Sequence, residues 1–154
     1  MAQSNFSFLT GGWAFLADDA VTVEKYALSD ARAAAIYGRR ALELGMKWIF
    51  KNDKSINDPY ETNLAAMVNH REFKAGIKKG LSDDIRFLWK LGNFAAHDAK
   101  TIPIEQGMGV AQALHSYLGW LTRVYTKNGT APAPFNRELL PKPQGVQNLS
   151  LIHI

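Results

Sequence analysis

Cysteine is absent from the 154 residues. Its absence excludes disulfides, thiolate metal sites and cysteine nucleophiles together, and it suits a reducing compartment, so a cytoplasmic protein is expected. No apolar run approaches the roughly 20 residues of a membrane-spanning helix. Met1-Ala2-Gln3-Ser4-Asn5 has no basic stretch ahead of an apolar core, so neither a membrane segment nor a secretory leader is expected. Nucleotide motifs are missing too. There is no Gly-x-x-x-x-Gly-Lys-Ser/Thr loop to cradle phosphates and no strand-linked Gly-x-Gly-x-x-Gly. The histidines at 70, 97, 115 and 153 lack zinc-like spacing, and no Gly-x-Ser-x-Gly elbow presents a serine. Asp18-Asp19 and Asp83-Asp84 fall at helix starts or surfaces, where carboxylates serve caps and the helix dipole. We therefore expect no cofactor, no metal and no self-sufficient enzyme in this chain.

An apolar content of 47% with 21% charged residues is that of a globular protein. The length suits one domain with a real core. A net charge of +4 is a mild bias toward acidic partners and comes without a dense Lys/Arg block.

Period-two alternation is lacking throughout, and the three-four rhythm of helices fills its place. Phe6, Leu9, Trp13, Leu16, Ala20, Val23 and Ala27 predict a first helix to about Leu28. Gly11 and Gly12 weaken its start, so the firm helix should begin near Trp13. Asp30 is an N-cap for a second helix, Ala31 to about Lys51. Its expected stripe is Ala34, Tyr37, Ala41, Leu44 and Trp48. Gly38 and Gly45, seven apart, share a face on which a neighbouring helix can come close. Turn chemistry from Lys51 to Tyr60 precedes two short helices, about 61–68 and 71–79. Ser82 or Asp83 caps a further long helix ending near His97. Pro103 suits the first turn of the last, which runs to about Lys127 and stops at Asn128-Gly129. The expected fold is all-α: a helical bundle of about four main helices and two short ones over residues 4–128. A Pro-rich extended linker follows over 129–147. Asn148 to Ile154 is an abrupt apolar tail resembling a translated adapter, and we set it aside as non-native. The gene product is then expected to continue beyond about Gln147.

The densest polar constellation lies on the helix ending at His97. At 100° per residue, Arg86, Lys90, Asn93 and His97 share one stripe, with Leu88, Leu91 and Ala95 on another side. An Asn–His pair one turn apart is either a satisfied polar contact between helices or a catalytic pair. Arg39, Arg40, Arg86 and Lys90 are the candidate contacts to nucleic acid or to a protein partner.

Several segments in order resemble a known domain. They are Ser4-Asn5-Phe6-Ser7-Phe8-Leu9 with Trp13, Arg39-Arg40-Ala41-Leu42-Glu43-Leu44 with Trp48-Ile49, and Pro59-Tyr60 with Asn63-Leu64. Leu91-Gly92-Asn93-Phe94-Ala95-Ala96-His97 and Tyr117-Leu118-Gly119-Trp120-Leu121 with Tyr125 complete the set. Together they are similar to a helical domain of unknown function, found at the N-terminus of type I restriction enzyme R subunits and related DEAD/DEAH-type helicases. The resemblance covers about residues 4–143. It implies an ATP-driven DNA translocase, often with a nuclease domain, downstream of this domain. ATP and Mg would be bound there. The partners it implies are DNA and other restriction-modification subunits, with a homodimer as a further expectation.

The same domain is distantly similar to HEPN bundles, many of them ribonucleases. Their signature is Arg, a polar residue, a short spacer and His. Asn93 and His97 match it, and Gly92 stands where the arginine belongs. A stand-alone HEPN-like ribonuclease or toxin using Asn93 and His97 is the alternative reading. Arg86, about 16 Å along the helix from His97, would replace the arginine only through a long reach or from a second copy.

Overall fold

Asp30 separates the first two helices. In the computed structural model, which describes residues 3–59 and 61–143, its side chain accepts a hydrogen bond from the Ala33 amide at 3.1 Å. Before it lies α1 (Ala17–Tyr26) and after it α2 (Ala31–Asn52). Two short helices, α3 (Leu64–Val68) and α4 (Arg71–Ala75), lead to α5 (Lys79–His97), and α6 (Glu105–Tyr125) closes the bundle. Among the described residues all regular structure is helical, with short 3₁₀ turns at Gly11–Leu16 and Arg137–Leu139. No described helix is long and apolar enough to cross a membrane. Helix α2 is the hub, packing against α1, α5 and α6.

Several boundaries differ from the sequence pattern for local reasons. The first α-helix begins at Ala17 rather than Trp13, because the Gly11–Leu16 stretch winds as 3₁₀ helix from a left-handed Gly11 at φ 58°. Helix α5 begins at Lys79, so Ser82 and Asp83 do not cap it. Extended backbone at Lys78 admits the chain, and the Lys78 carbonyl accepts from the Ser82 amide at 3.0 Å. Asp83 instead pairs with Lys79 one turn back at 2.9 Å. Pro103 lies just ahead of α6, where its carbonyl accepts from the Gln106 amide at 3.0 Å. Asn128 takes a left-handed turn at φ 58°, and α6 has already ended at Tyr125.

The buried face of α2 runs through Ala34, Gly38, Ala41, Leu42, Gly45, Met46 and Ile49, while Tyr37, Leu44 and Trp48 flank it half-buried. The two glycines decide this rotation. A Cβ on Gly38 would lie 2.7 Å from Val110 Cγ1, and one on Gly45 would collide with the Tyr117 hydroxyl. Both neighbours belong to α6, so small residues on α2 let that helix settle onto its backbone. Tyr117, wholly buried, donates to the Leu42 carbonyl at 3.1 Å. That bond meets the requirement of a buried hydroxyl for a partner.

The residues after Thr130 are extended, as their prolines suggest, but they return along the bundle. Pro132 Cγ lies 3.1 Å from where a Cβ on Gly119 would sit, Phe135 lies against the core and Leu140 is 3% exposed. Asn5 holds this strap. Its amide donates to the Asn136 carbonyl at 3.0 Å, its side-chain oxygen accepts from the Asn136 amide at 2.7 Å, and its amide and backbone N–H reach Glu24 of α1 at 2.9 Å. Residues 144–147 of the expected linker and the tail 148–154 lie outside the described residues.

Candidate functional site

Helix α5 has two unlike sides because its apolar residues recur at helical spacing. Ile85, Leu88, Trp89, Gly92 and Ala95 are buried. Arg86, Lys90, Asn93 and His97 form the opposite stripe, with the arginine, lysine and histidine exposed and the asparagine half-buried. The Lys90 ammonium lies 4.1 Å from the centroid of the Trp89 ring, a cation–π contact that holds the stem along the helix.

Helix α2 borders this stripe with Arg32, Ile36 and Arg39, again at steps of four and three. Arg39 crosses α5 at Gly92. A Cβ there would overlap the Arg39 Cβ and come within 2.9 Å of its Cγ and Cδ, so only glycine admits the crossing. Beyond the crossing, Arg39 Nε donates to Asn93 Oδ1 at 2.7 Å. The asparagine carbonyl is thus engaged by an arginine of another helix, and Asn93 ties α2 to α5.

Arg32 escaped the sequence reading, and it holds the end of α5. Its guanidinium donates to the carbonyls of Ala95 at 2.5 Å and Asp98 at 2.7 Å, and to that of Lys100. A helix C-terminus exposes unpaired carbonyls and a partial negative charge, and α5 ends at an extended Asp98 with no glycine cap. A planar fork of donors from α2 replaces the cap. The missing glycine after His97 was the one available signal, and it does not say which cation answers.

The other candidates separate. Arg40 points away from the stripe and pairs with Asp19 of α1 at 3.4 Å. Burial raises the Asp19 pKa, and the Arg40 charge opposes that rise. Among the described residues, the ion pairs are Arg40–Asp19 and Lys79–Asp83, so Arg39, Arg86 and Lys90 have no carboxylate at ion-pair distance. No group of three or more His, Asp or Glu residues that could hold a metal ion occurs among the described residues. His115 sits apart, at 8% exposure, between Phe6, Phe8 and Phe135 with ring centroids 5.7–6.0 Å away. Its Nε2 has no hydrogen-bond partner.

The chain matches no family model, no curated protein and no solved structure. The α2–α5 seam must therefore be read from its chemistry. Its cations are Arg86 and Lys90, about 6 Å apart along α5 at ~1.5 Å per residue, and Arg39 where α2 crosses at Gly92. Its polar centre, Arg39–Asn93, is an internal bond between helices. A strip of unpaired cations beside an apolar core attracts polyanions.

Proposed function

We propose that this chain is a non-catalytic docking domain, which lays the Arg39–Arg86–Lys90 face of the α2–α5 seam on the phosphate backbone of DNA. Its context, on this reading, is an ATP-dependent translocase of the type I restriction kind. The observation that carries the docking role is a set of cations without carboxylate partners, exposed Arg86 and Lys90 of α5 beside half-buried Arg39 of α2. Surface arginines and lysines are free to exchange their counterions for a phosphate backbone. The translocase context rests on the sequence resemblance, in which the motor and any nuclease lie downstream. The bond from Arg39 to Asn93 supports a structural role for the asparagine, since its acceptor serves the joint between helices.

The experiment is fluorescence anisotropy of a labelled DNA duplex. Wild type should bind, and the Arg86→Glu/Lys90→Glu variant should bind at least tenfold more weakly, because two attractive charges become repulsive. Equal binding by both proteins would contradict the reading.

One observation favours a second reading. The HEPN-like signature lacks its arginine at Gly92, yet the arginine at that place in space is Arg39, delivered over the glycine from α2. It is much nearer than Arg86. On the ribonuclease reading, Arg39 would stabilise charge on a scissile phosphate and exposed His97 would move the proton. Incubation with single-stranded RNA in EDTA tests this. Cleavage lost in both His97→Ala and Arg39→Ala supports the ribonuclease, and intact RNA removes it.

A further inference from the structure

We propose that the cleft between α3–α4 and the first half of α5 binds a single phosphate group. Six of the residues lining it carry the argument: Asn69, Lys74, Ser82 and Arg86 as polar donors, and Ile85 and Trp89 as apolar wall.

Charge of one sign is the first ground. Lys74 and Arg86 both line the cleft, and no carboxylate does. The nearby acids are engaged elsewhere. Asp83 pairs with Lys79 at 2.9 Å, and Glu72 accepts from the Asn57 amide at 3.0 Å. Asp84 turns toward α6, lining a separate hollow with Ser116 and Arg123. The two cations therefore have no internal anion.

The neutral donors are the second ground. Because α5 begins at Lys79, Ser82 stands inside the helix and lines the cleft rather than serving as a cap. Asn69 gives one amide hydrogen to the Ala65 carbonyl at 2.9 Å and keeps the other. Two cationic and two neutral donors from three elements match the several oxygens of a tetrahedral oxyanion. A carboxylate has only two oxygens, in one plane, to offer them.

Medium and size complete the case. Ile85 is 2% exposed and Trp89 9%, so the wall is apolar and of low dielectric, which concentrates the field of the cations. The cleft encloses about 80 Å³. That is room for more than a single water and matches a small group of a few heavy atoms. A phosphate group has that size.

The inference deepens the docking reading, since Arg86 belongs to the exposed stripe, and Lys74 separates the two because it lies outside that stripe. The phosphate can come from a nucleic-acid strand or from a small phosphorylated molecule.

The test is ¹H–¹⁵N NMR of the whole chain titrated with inorganic phosphate, the ionic strength held constant with sodium chloride. A second titration uses a short single-stranded oligonucleotide. Saturable shifts are expected at the Trp89 indole N–H and the Arg86 Nε–H. Lys74→Ala should weaken phosphate binding about tenfold, as the loss of one charge-assisted hydrogen bond implies, and the control Lys127→Ala should not. Both altered lysines are exposed, and far-UV circular dichroism checks that the fold is kept. Shifts that never saturate, or an affinity unchanged by Lys74→Ala, overturn the proposal. Shifts at Trp89 that Lys74→Ala weakens, seen at lower oligonucleotide than phosphate concentration, assign the site to a strand, and the reverse order assigns it to a small phosphorylated ligand. Oligonucleotide binding that needs Lys90 and is unchanged by Lys74→Ala, with no saturable phosphate binding, overturns the cleft while the docking reading stands. Phosphate saturating the cleft without any DNA binding by the stripe does the opposite.

Discussion

Arg39 of α2 passes over Gly92 of α5 and donates to Asn93 at 2.7 Å, so one arginine and one glycine set how closely these helices approach. The first prediction follows from that crossing. Alanine is the better helix former by about 1 kcal/mol, so Gly92→Ala would stabilise an unobstructed helix. Here its Cβ meets the first atoms of the Arg39 side chain, which are fixed to the α2 backbone. Overpacking of this kind costs about 1–3 kcal/mol. Thermal unfolding should show a lower Tm for Gly92→Ala. The double variant Arg39→Ala/Gly92→Ala should recover part of the loss, since truncation removes the Cγ and Cδ contacts.

A second prediction concerns the end of α5. Arg32→Ala removes a charged donor from three carbonyls. The expected loss is about 2 kcal/mol in urea unfolding, within the range for hydrogen bonds made by charged groups. Hydrogen exchange should quicken at Ala95–Asp98 before it does elsewhere. Arg32→Lys keeps the charge and loses the fork, so it should restore less than half of the stability.

The third prediction is one of pH. Burial lowers the His115 pKa from its ordinary value near 6.5, against smaller opposing effects from the Ala133 carbonyl and the Glu24 charge. The folded protein therefore holds His115 neutral while the unfolded chain takes up a proton below about pH 6.5. Stability falls as the pH drops through that value and continues to fall until the folded pKa is reached. Asp19 and Asp84, whose pKa values burial raises, change stability in the opposite direction at the more acidic end. The urea midpoint should decline between about pH 7 and pH 5.5 in wild type and decline less in His115→Gln. The loss should first free the strap, because Phe135 and Ala133 cover this histidine.

Much of the bundle was legible in the chain. The three-four spacing located all four long helices, and Asp30 caps α2 as its residue type suggests. Gly38 and Gly45 did mark a close approach, though the buried face of α2 turned toward them and away from Tyr37 and Trp48. Periodicity reports a stripe, and which side of a broad stripe faces inward depends on the partner helix. The strap was the least legible part. Prolines report extended backbone but not where it docks, and the contacts fixing it join Asn5 to Asn136 across nearly the whole chain. At the site, α5 alone suggested Asn93 and His97 as a pair. The partner of Asn93 is Arg39, 54 residues away, and no local spacing encodes such a meeting. Arg32 was missed for the same reason.

The most direct test of the docking role is the salt dependence of DNA binding. Three cations without carboxylate partners, Arg39, Arg86 and Lys90, each displacing one counterion, give a slope of log K against log salt of about −2 to −3. Anisotropy titrations over a range of sodium chloride should show that slope in wild type. In Arg86→Glu/Lys90→Glu it should flatten as affinity falls. The same slope and affinity in both proteins would place the DNA contact, if any, on another face and contradict the account.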